Sequence, residues 1–252
     1  MKTLFATAFA IGVATGPANA FMPEKWQETL NADHPLVGRV FAIEANITPA
    51  STDDLREASN GTAALASGES HDNRDHHRIQ ARLIEQLTAD NVTVVFEMVP
   101  DRLQDALDAA TDDMDTLGKA LEWEERGWYG WPIYRPIFEV SVAKSAILKA
   151  GSANRDVTRT NSRQGMEAVS HAVRAGLDLD TPLPEPARAS LMAELANSHC
   201  GMMPERALPA MAQVQRFRDA KMAAALDGAS GKAVLIAGNG HTRRDRGVPF
   251  LT

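Results

Sequence analysis

A chain of 252 residues with 44% hydrophobic and 23% charged residues has enough apolar material to bury a full core as one large domain. Its formal charge of −7, from 26 Lys and Arg against 33 Asp and Glu, argues against nucleic acid as a partner. A single cysteine, Cys200, excludes an internal disulfide and leaves a small buried hydrophobe or an intermolecular bond as its uses.

In chain order, residues 1–20 read as a cleavable secretory signal: Lys2, an apolar stretch from Leu4 to Val13, then Ala18-Asn19-Ala20. The mature chain is expected to start near Phe21, in the periplasm or cell envelope, and no cysteine follows the cut to take a lipid anchor. No later run has the length of a membrane-spanning helix. Gly38 to Ile47 suggests an edge strand or hairpin, before a helix starting near Ser51. Three short apolar runs, Ala63 to Ser67, Val92 to Phe96 and Ala233 to Ala237, read as buried parallel strands. Between the first two, Asp72 or Asn73 caps a helix with Ile79, Leu83, Ile84 and Leu87 on one face. Pro100 suits the first turn of the next helix, which carries Leu103, Ala106, Leu107 and Ala110. Helices over Val140 to Leu148, Gly165 to Ala175, Pro186 to Asn197 and Pro204 to Leu226 fill the second half, with Leu177 to Pro186 as an internal linker. The pattern predicts an α/β fold, a mostly parallel sheet covered by helices on both faces.

Parallel strands deliver their C-terminal ends to one edge, where ligands bind. The residues just past the predicted strands are Gly68-Glu69-Ser70-His71, Glu97 after Phe96, and Gly238-Asn239-Gly240-His241. Two imidazoles and two carboxylates, Glu69, His71, Glu97 and His241, form a set that holds a divalent metal or runs acid–base chemistry. On the following helix His76 lies in line with Gln80, Leu83 and Leu87 and is expected to face inward, as a cap-region group or a ligand, with His77 in solvent. His199 beside Cys200 is a weaker metal pair.

The segment from Trp123 to Phe138 holds three of the four tryptophans and both tyrosines, Tyr129 and Tyr134. Read as a Gly- and Pro-punctuated loop, it makes either an apolar wall for a planar ligand or a hydrophobic cluster docking helices onto the sheet. A tyrosine oxygen is a good axial donor to ferric haem, and Arg135 beside Tyr134 favours a phenolate or pairs with a propionate.

Taken in order, His34-Pro35-Leu36-Val37-Gly38-Arg39, the Gly68 to Asn73 segment with His76, His77 and Gln80, Phe96-Glu97-Met98, Tyr134-Arg135-Pro136, Gly238 to His241 and Gly247-Val248-Pro249 resemble the ChaN-like family, the haem-binding branch of the Tiki superfamily. The resemblance implies an α/β domain over residues 21–252 with an inserted helical lobe at about 100–230, and a role in haem or iron uptake. It implies the superfamily signature at His71 and His241, with Glu69 and Glu97 beside them, and Tyr134 as the iron ligand. Arg135, His71, His76 and Tyr129 complete the expected haem contacts. It also implies more chain after His241 than the eleven residues present. Expected partners are haem, an outer-membrane haem receptor or envelope transport component, and a second copy of the chain. The alternative, implied by related branches, is a metal-dependent hydrolase in which the Glu/His set activates water on a divalent ion.

Overall fold

The computed structural model describes residues 21–252 apart from 45, 165–168, 199–201 and 203, and gives the backbone alone at 161–163. The predicted signal, the start of the Gly165 helix and the His199–Cys200 pair lie outside the described residues.

A hairpin of β1 (Val40–Ile43) and β2 (Ile47–Ala50) precedes α1 (Thr52–Gly61), where Ser51 and Asp54 form a reciprocal capping box. The main sheet has four parallel strands, β3 (Ala64–Glu69), β4 (Val92–Pro100), β5 (Ile147–Ser152) and β6 (Lys232–Gly238), in the order β3-β6-β4-β5. Every residue of β4 and β6 is buried, which is why these runs lack polar alternation. α2 (Arg74–Glu85) and α5 (Trp131–Ala143) pack together over a core that includes Ile84, Phe96, Trp123, Tyr134 and Phe138. Phe96 and Phe138 stack with centroids 4.2 Å apart. A second cluster sits under α9 (Leu208–Asp227), with Met222, Leu226, Val95 and Leu235.

The remaining helices are α3 (Gln104–Asp108), α4 (Met114–Ala120), α6 (Arg155–Gln164), α7 (His171–Gly176) and α8 (Glu185–Ser198). Three expectations need correcting. The helix predicted over Val140 to Leu148 ends at Ala143, and Ile147 begins β5, so the stretch 100–230 returns to the sheet midway instead of forming one helical insertion. Pro100 ends β4 rather than opening a helix, because Asp101–Leu103 first make a 3-10 turn. The proposed linker is anchored, with Leu179 and Leu183 buried.

The segment before β1 belongs to the fold. Phe21 is buried in the main core, and the backbone N–H groups of Gln27 and Glu28 donate to Asp75 Oδ2 at 2.8 and 2.9 Å.

Candidate functional site

Because β3, β6 and β4 are neighbours, the loops after β3 and β6 and the last residues of β4 meet at one edge. Glu69, His71, Glu97 and His241 converge there. His71 Nδ1 lies 2.7 Å from Glu69 Oε1, and its Nε2 is 4.0 Å from Glu97 Oε1. His241 Nε2 approaches the same Glu97 oxygen at 3.2 Å. The two Gly-x-x-His segments need their glycines for each other: a Cβ on Gly68 would lie 2.5 Å from Thr242 Oγ1 and 2.6 Å from Asn239 Oδ1, and one on Gly238 would press on the His71 ring at 3.1 Å.

Glu97 is the hub. Gly238 N–H donates to its Oε2 at 2.7 Å, and the Arg218 guanidinium donates to its Oε1. Burial alone would raise its pKa, yet His241, Arg218 and His71 together hold it far below the carboxylate range. Burial likewise opposes charge on His241, but Glu97 and Asp219 outweigh it and push the imidazole up to about 9. Asp219 Oδ1 sits 2.5 Å from His241 Nδ1, its own pKa raised by burial against the pull of that histidine. At the neighbouring pair, burial is again overcome: Glu69 is lowered by His71 and His77, and His71 is raised by Glu69 and Glu97.

Three partners here were not singled out in the sequence: Asp219, Arg218 and Gln215. Gln215 Nε2 lies 3.0 Å from His241 Nδ1. The signal for Asp219 was present, since it shares a helical face with Met222 and Leu226, and a carboxylate on a buried face requires a cation. The assignment of the two helix histidines is reversed. His77 is fully buried, with Nε2 3.2 Å from the His71 carbonyl and ring against Tyr134, while His76 is half-buried and its Nδ1 accepts the Ser70 N–H at 3.0 Å. His77 Nδ1 also approaches Glu69 Oε2 at 2.5 Å without hydrogen-bond alignment, its aligned partner being Gln80 Oε1 at 3.1 Å. The reversal arises because α2 buries a wide face that includes His77, Gln80, Ala81 and Ile84.

The aromatic segment is a loop only as far as Gly130, and the rest is α5. Trp123, Trp131, Tyr134 and Phe138 are core residues in edge and tilted contact, so most of the expected wall is the docking cluster. Tyr134 has no exposed surface and donates its hydroxyl to Glu69 Oε1 at 3.0 Å; burial and that carboxylate raise its pKa well above a phenol's. Arg135 projects the other way, to Asp115 at 2.9 Å and Glu139 at 2.6 Å, so it supports no phenolate on Tyr134. Trp128 and Tyr129 are the aromatics left within reach of a ligand: Trp128 stands edge-on to His71 with centroids 5.1 Å apart, and Tyr129 is 51% exposed.

Among the described residues no group of three or more His, Cys, Asp or Glu is arranged to hold a metal ion. The oxygens of Glu97 take Arg218 and the Gly238 N–H, and Nδ1 of each histidine faces a carboxylate. Glu69, His71, Glu97 and His241 sit together, paired with one another and with Arg218, Asp219 and the Gly238 N–H.

Beside Glu97 a cavity of about 430 Å³ opens between the ends of β4 and β5, α6 and α9, with Trp128, Met98, Ala153 and Val214 in its wall. A larger one, about 740 Å³, lies by the N-terminal segment and is lined by none of the four edge residues, so the chemistry favours the smaller.

Residues 57–250 match the family described as haem-binding uptake, Tiki superfamily, ChaN. The chain belongs to this family. Among solved structures it is similar to ChaN of Campylobacter jejuni, in a structure described as cofacial heme binding, with a TM-score of 0.64 and 21% identity over 84% of each chain. That likeness supports the α/β fold found here. No curated protein matches the chain.

Proposed function

We propose that this family member binds ferric haem at the C-terminal edge of the sheet and handles haem or iron outside the cytoplasm. The carrying observation is the cavity beside Glu97, where Trp128 offers a flat apolar wall next to arginine side chains, the combination a planar dicarboxylic ligand requires. Tyr129 is the tyrosine suited to iron, because it is exposed and its hydroxyl has no partner among the described residues, whereas Tyr134 is committed to Glu69. His71 is the neighbouring imidazole. Its Nδ1 is oriented by Glu69, the arrangement that leaves Nε2 as a donor.

The test is a haemin titration of the mature chain followed in the Soret and charge-transfer regions. Tyr129→Phe should abolish the tyrosinate charge-transfer band and weaken haemin binding by about tenfold or more, roughly the loss of one strong ligand contact. Tyr134→Phe should keep the band. The reverse pattern assigns the ligand to Tyr134, and unchanged spectra in both, with a shift in His71→Ala, assign it to histidine.

Export rests on residues 1–20, and a cut after Ala20 keeps Phe21, which is buried in the main core, on the mature chain. Intact-mass analysis of protein from its native envelope should give an N-terminus at or near Phe21. A cytosolic protein that retains Met1 rejects the reading.

A further inference from the structure

We propose that the groove between α2 and α5 docks an extended acidic segment of a partner protein, with alternate carboxylates on Arg74, Arg78 and Arg82. A cavity of about 270 Å³ opens there, lined also by Gln27 of the N-terminal segment. None of its lining residues lines the cavity beside Glu97. Its charged residues are all arginines, in a chain whose formal charge is −7.

The three arginines stand four residues apart along α2, so they form one row on the helix surface. Like charges at this spacing destabilise a helix unless an anion sits beside them. Among the described residues Asp75 is the one carboxylate within 4 Å of any of the three, 3.7 Å from Arg78 Nη1. It is buried, and its Oδ2 is taken by the Gln27 and Glu28 N–H groups. Glu28 Oε1 accepts the Arg74 backbone N–H at 3.2 Å rather than its guanidinium. Arg78 Nη1 donates to the Lys25 carbonyl at 3.1 Å, and Arg82 Nη1 donates to the Met22 carbonyl. Those neutral oxygens hold the two side chains in place without neutralising them, and each guanidinium keeps further N–H donors. Arg74 is exposed, and its side chain has no partner among the described residues. The row is a set of positioned, accessible cations short of anions.

Spacing and wall select the occupant. A rise of about 1.5 Å per residue sets successive arginines about 6 Å apart along the helix. An extended peptide returns its side chains to one face every two residues, about 6.6–6.8 Å, so acidic residues at alternate positions meet successive arginines. The α5 wall of Pro132, Ile133 and Pro136 is apolar and packs against the methylene stems of such a segment, which an inorganic anion lacks. A cavity of this size falls below the range that encloses a small-molecule ligand, roughly 300–1,000 Å³, and suits a few side chains of a strand passing across it. A flat anionic bilayer meets exposed Arg74 but is held off Arg78 and Arg82, which are half-buried.

The experiment follows the fluorescence anisotropy of a labelled peptide, carrying three glutamates at alternate positions, titrated with the haem-free mature chain at about 50 mM salt. Replacing the glutamates with glutamines should weaken binding about tenfold or more, the scale of losing charge-assisted hydrogen bonds, and about 500 mM salt should weaken it severalfold. Arg74→Glu should cost about tenfold or more and Arg78→Gln severalfold. Arg74→Glu places a carboxylate four residues before Arg78 on an exposed face, so its urea midpoint should match or exceed wild type, which separates lost binding from lost folding. No peptide binding up to about 1 mM overturns the docking site, as does binding that both variants leave unaltered. Equal binding of an alanine-rich helical peptide with glutamates four residues apart overturns the extended occupant. Binding to phosphatidylglycerol vesicles that is lost in Arg74→Glu, with no binding of the peptide, assigns the row to a lipid surface and overturns the partner segment.

Discussion

Glu97→Ala should cost about 3–5 kcal/mol of folding stability, among the largest single effects available in this chain, because it strands buried charge rather than merely deleting a contact. Glu97 is 2% exposed, and its carboxylate faces Arg218, His241 and the Gly238 N–H at once. Without it, among the described residues, Asp219 is the one carboxylate left to His241 and Arg218 loses its sole carboxylate partner. Against a typical total of about 5–15 kcal/mol, the variant should be marginal at room temperature. Glu97→Gln keeps an acceptor for Gly238 N–H and should lose less, about 1–3 kcal/mol. Urea midpoints for the two variants, with unchanged m-values, measure the ordering. Equal losses in Gln and Ala variants would mean that charge is the whole effect, and a loss below about 1 kcal/mol in Ala would reject Glu97 as the hub.

The strands were legible in the sequence wherever both faces are buried. β4 and β6 announce themselves as unbroken apolar runs, whereas β3, read as a third buried run, is only partly buried, exposed at Ala64 and buried at Glu69. β5 was hidden because Ile147 and Leu148 continue the apolar spacing of α5, and only the turn at Lys144 and Ser145, where Ser145 has φ 53°, separates helix from strand. No local pattern marks that break as firmly as a glycine does. Helix caps were better: Asn73 accepts from Asp75 and His76 N–H, and Ser51 starts α1 as its spacing with Asp54 requires.

Site residues on strand ends were readable, since strand order and polarity carry Glu69, His71, Glu97 and His241 to one edge whatever else the chain does. What the sequence left open was each group's partner. Asp219 and Arg218 come from a helix more than 100 residues from Glu97, a pairing set by tertiary packing alone. The same limit governs Tyr134, whose position in an aromatic-rich run says nothing about whether α5 turns it outward or, as found, onto Glu69. The cavity arginines were missed for another reason: Arg102, Arg126, Arg155 and Arg218 lie on four separate segments, Arg126 in the turn after α4, and no spacing rule gathers them.

Stability of the ligand-free protein should fall as pH rises from about 6.5 to 9, by roughly 3 kcal/mol if His241 titrates alone. The sign follows from its folded-state pKa, which the Glu97 and Asp219 carboxylates raise to about 9 against the opposing effect of burial. A histidine of unfolded pKa about 6.5 that gains such partners contributes fully below that pH, and the contribution drains away as the folded form loses its proton. His71, raised by Glu69 and Glu97, adds loss on the same side, and Asp219, raised by burial, begins its own loss lower, in the carboxylate range. Glu69 and Glu97 are lowered, so their contributions are present above the ordinary glutamate pKa and are lost on acidification; they cannot produce an alkaline decline. His76, lowered by burial, also acts on the acid side. Urea midpoints at pH 6.5, 7.5, 8.5 and 9.5 should therefore descend in wild type, while His241→Gln starts lower and descends less, by the share of His71. A flat wild-type series would show that His241 is neutral in the folded protein, with Asp219 rather than the imidazole carrying the shared proton, and the hub at Glu97 would then hold one cation, Arg218, instead of two.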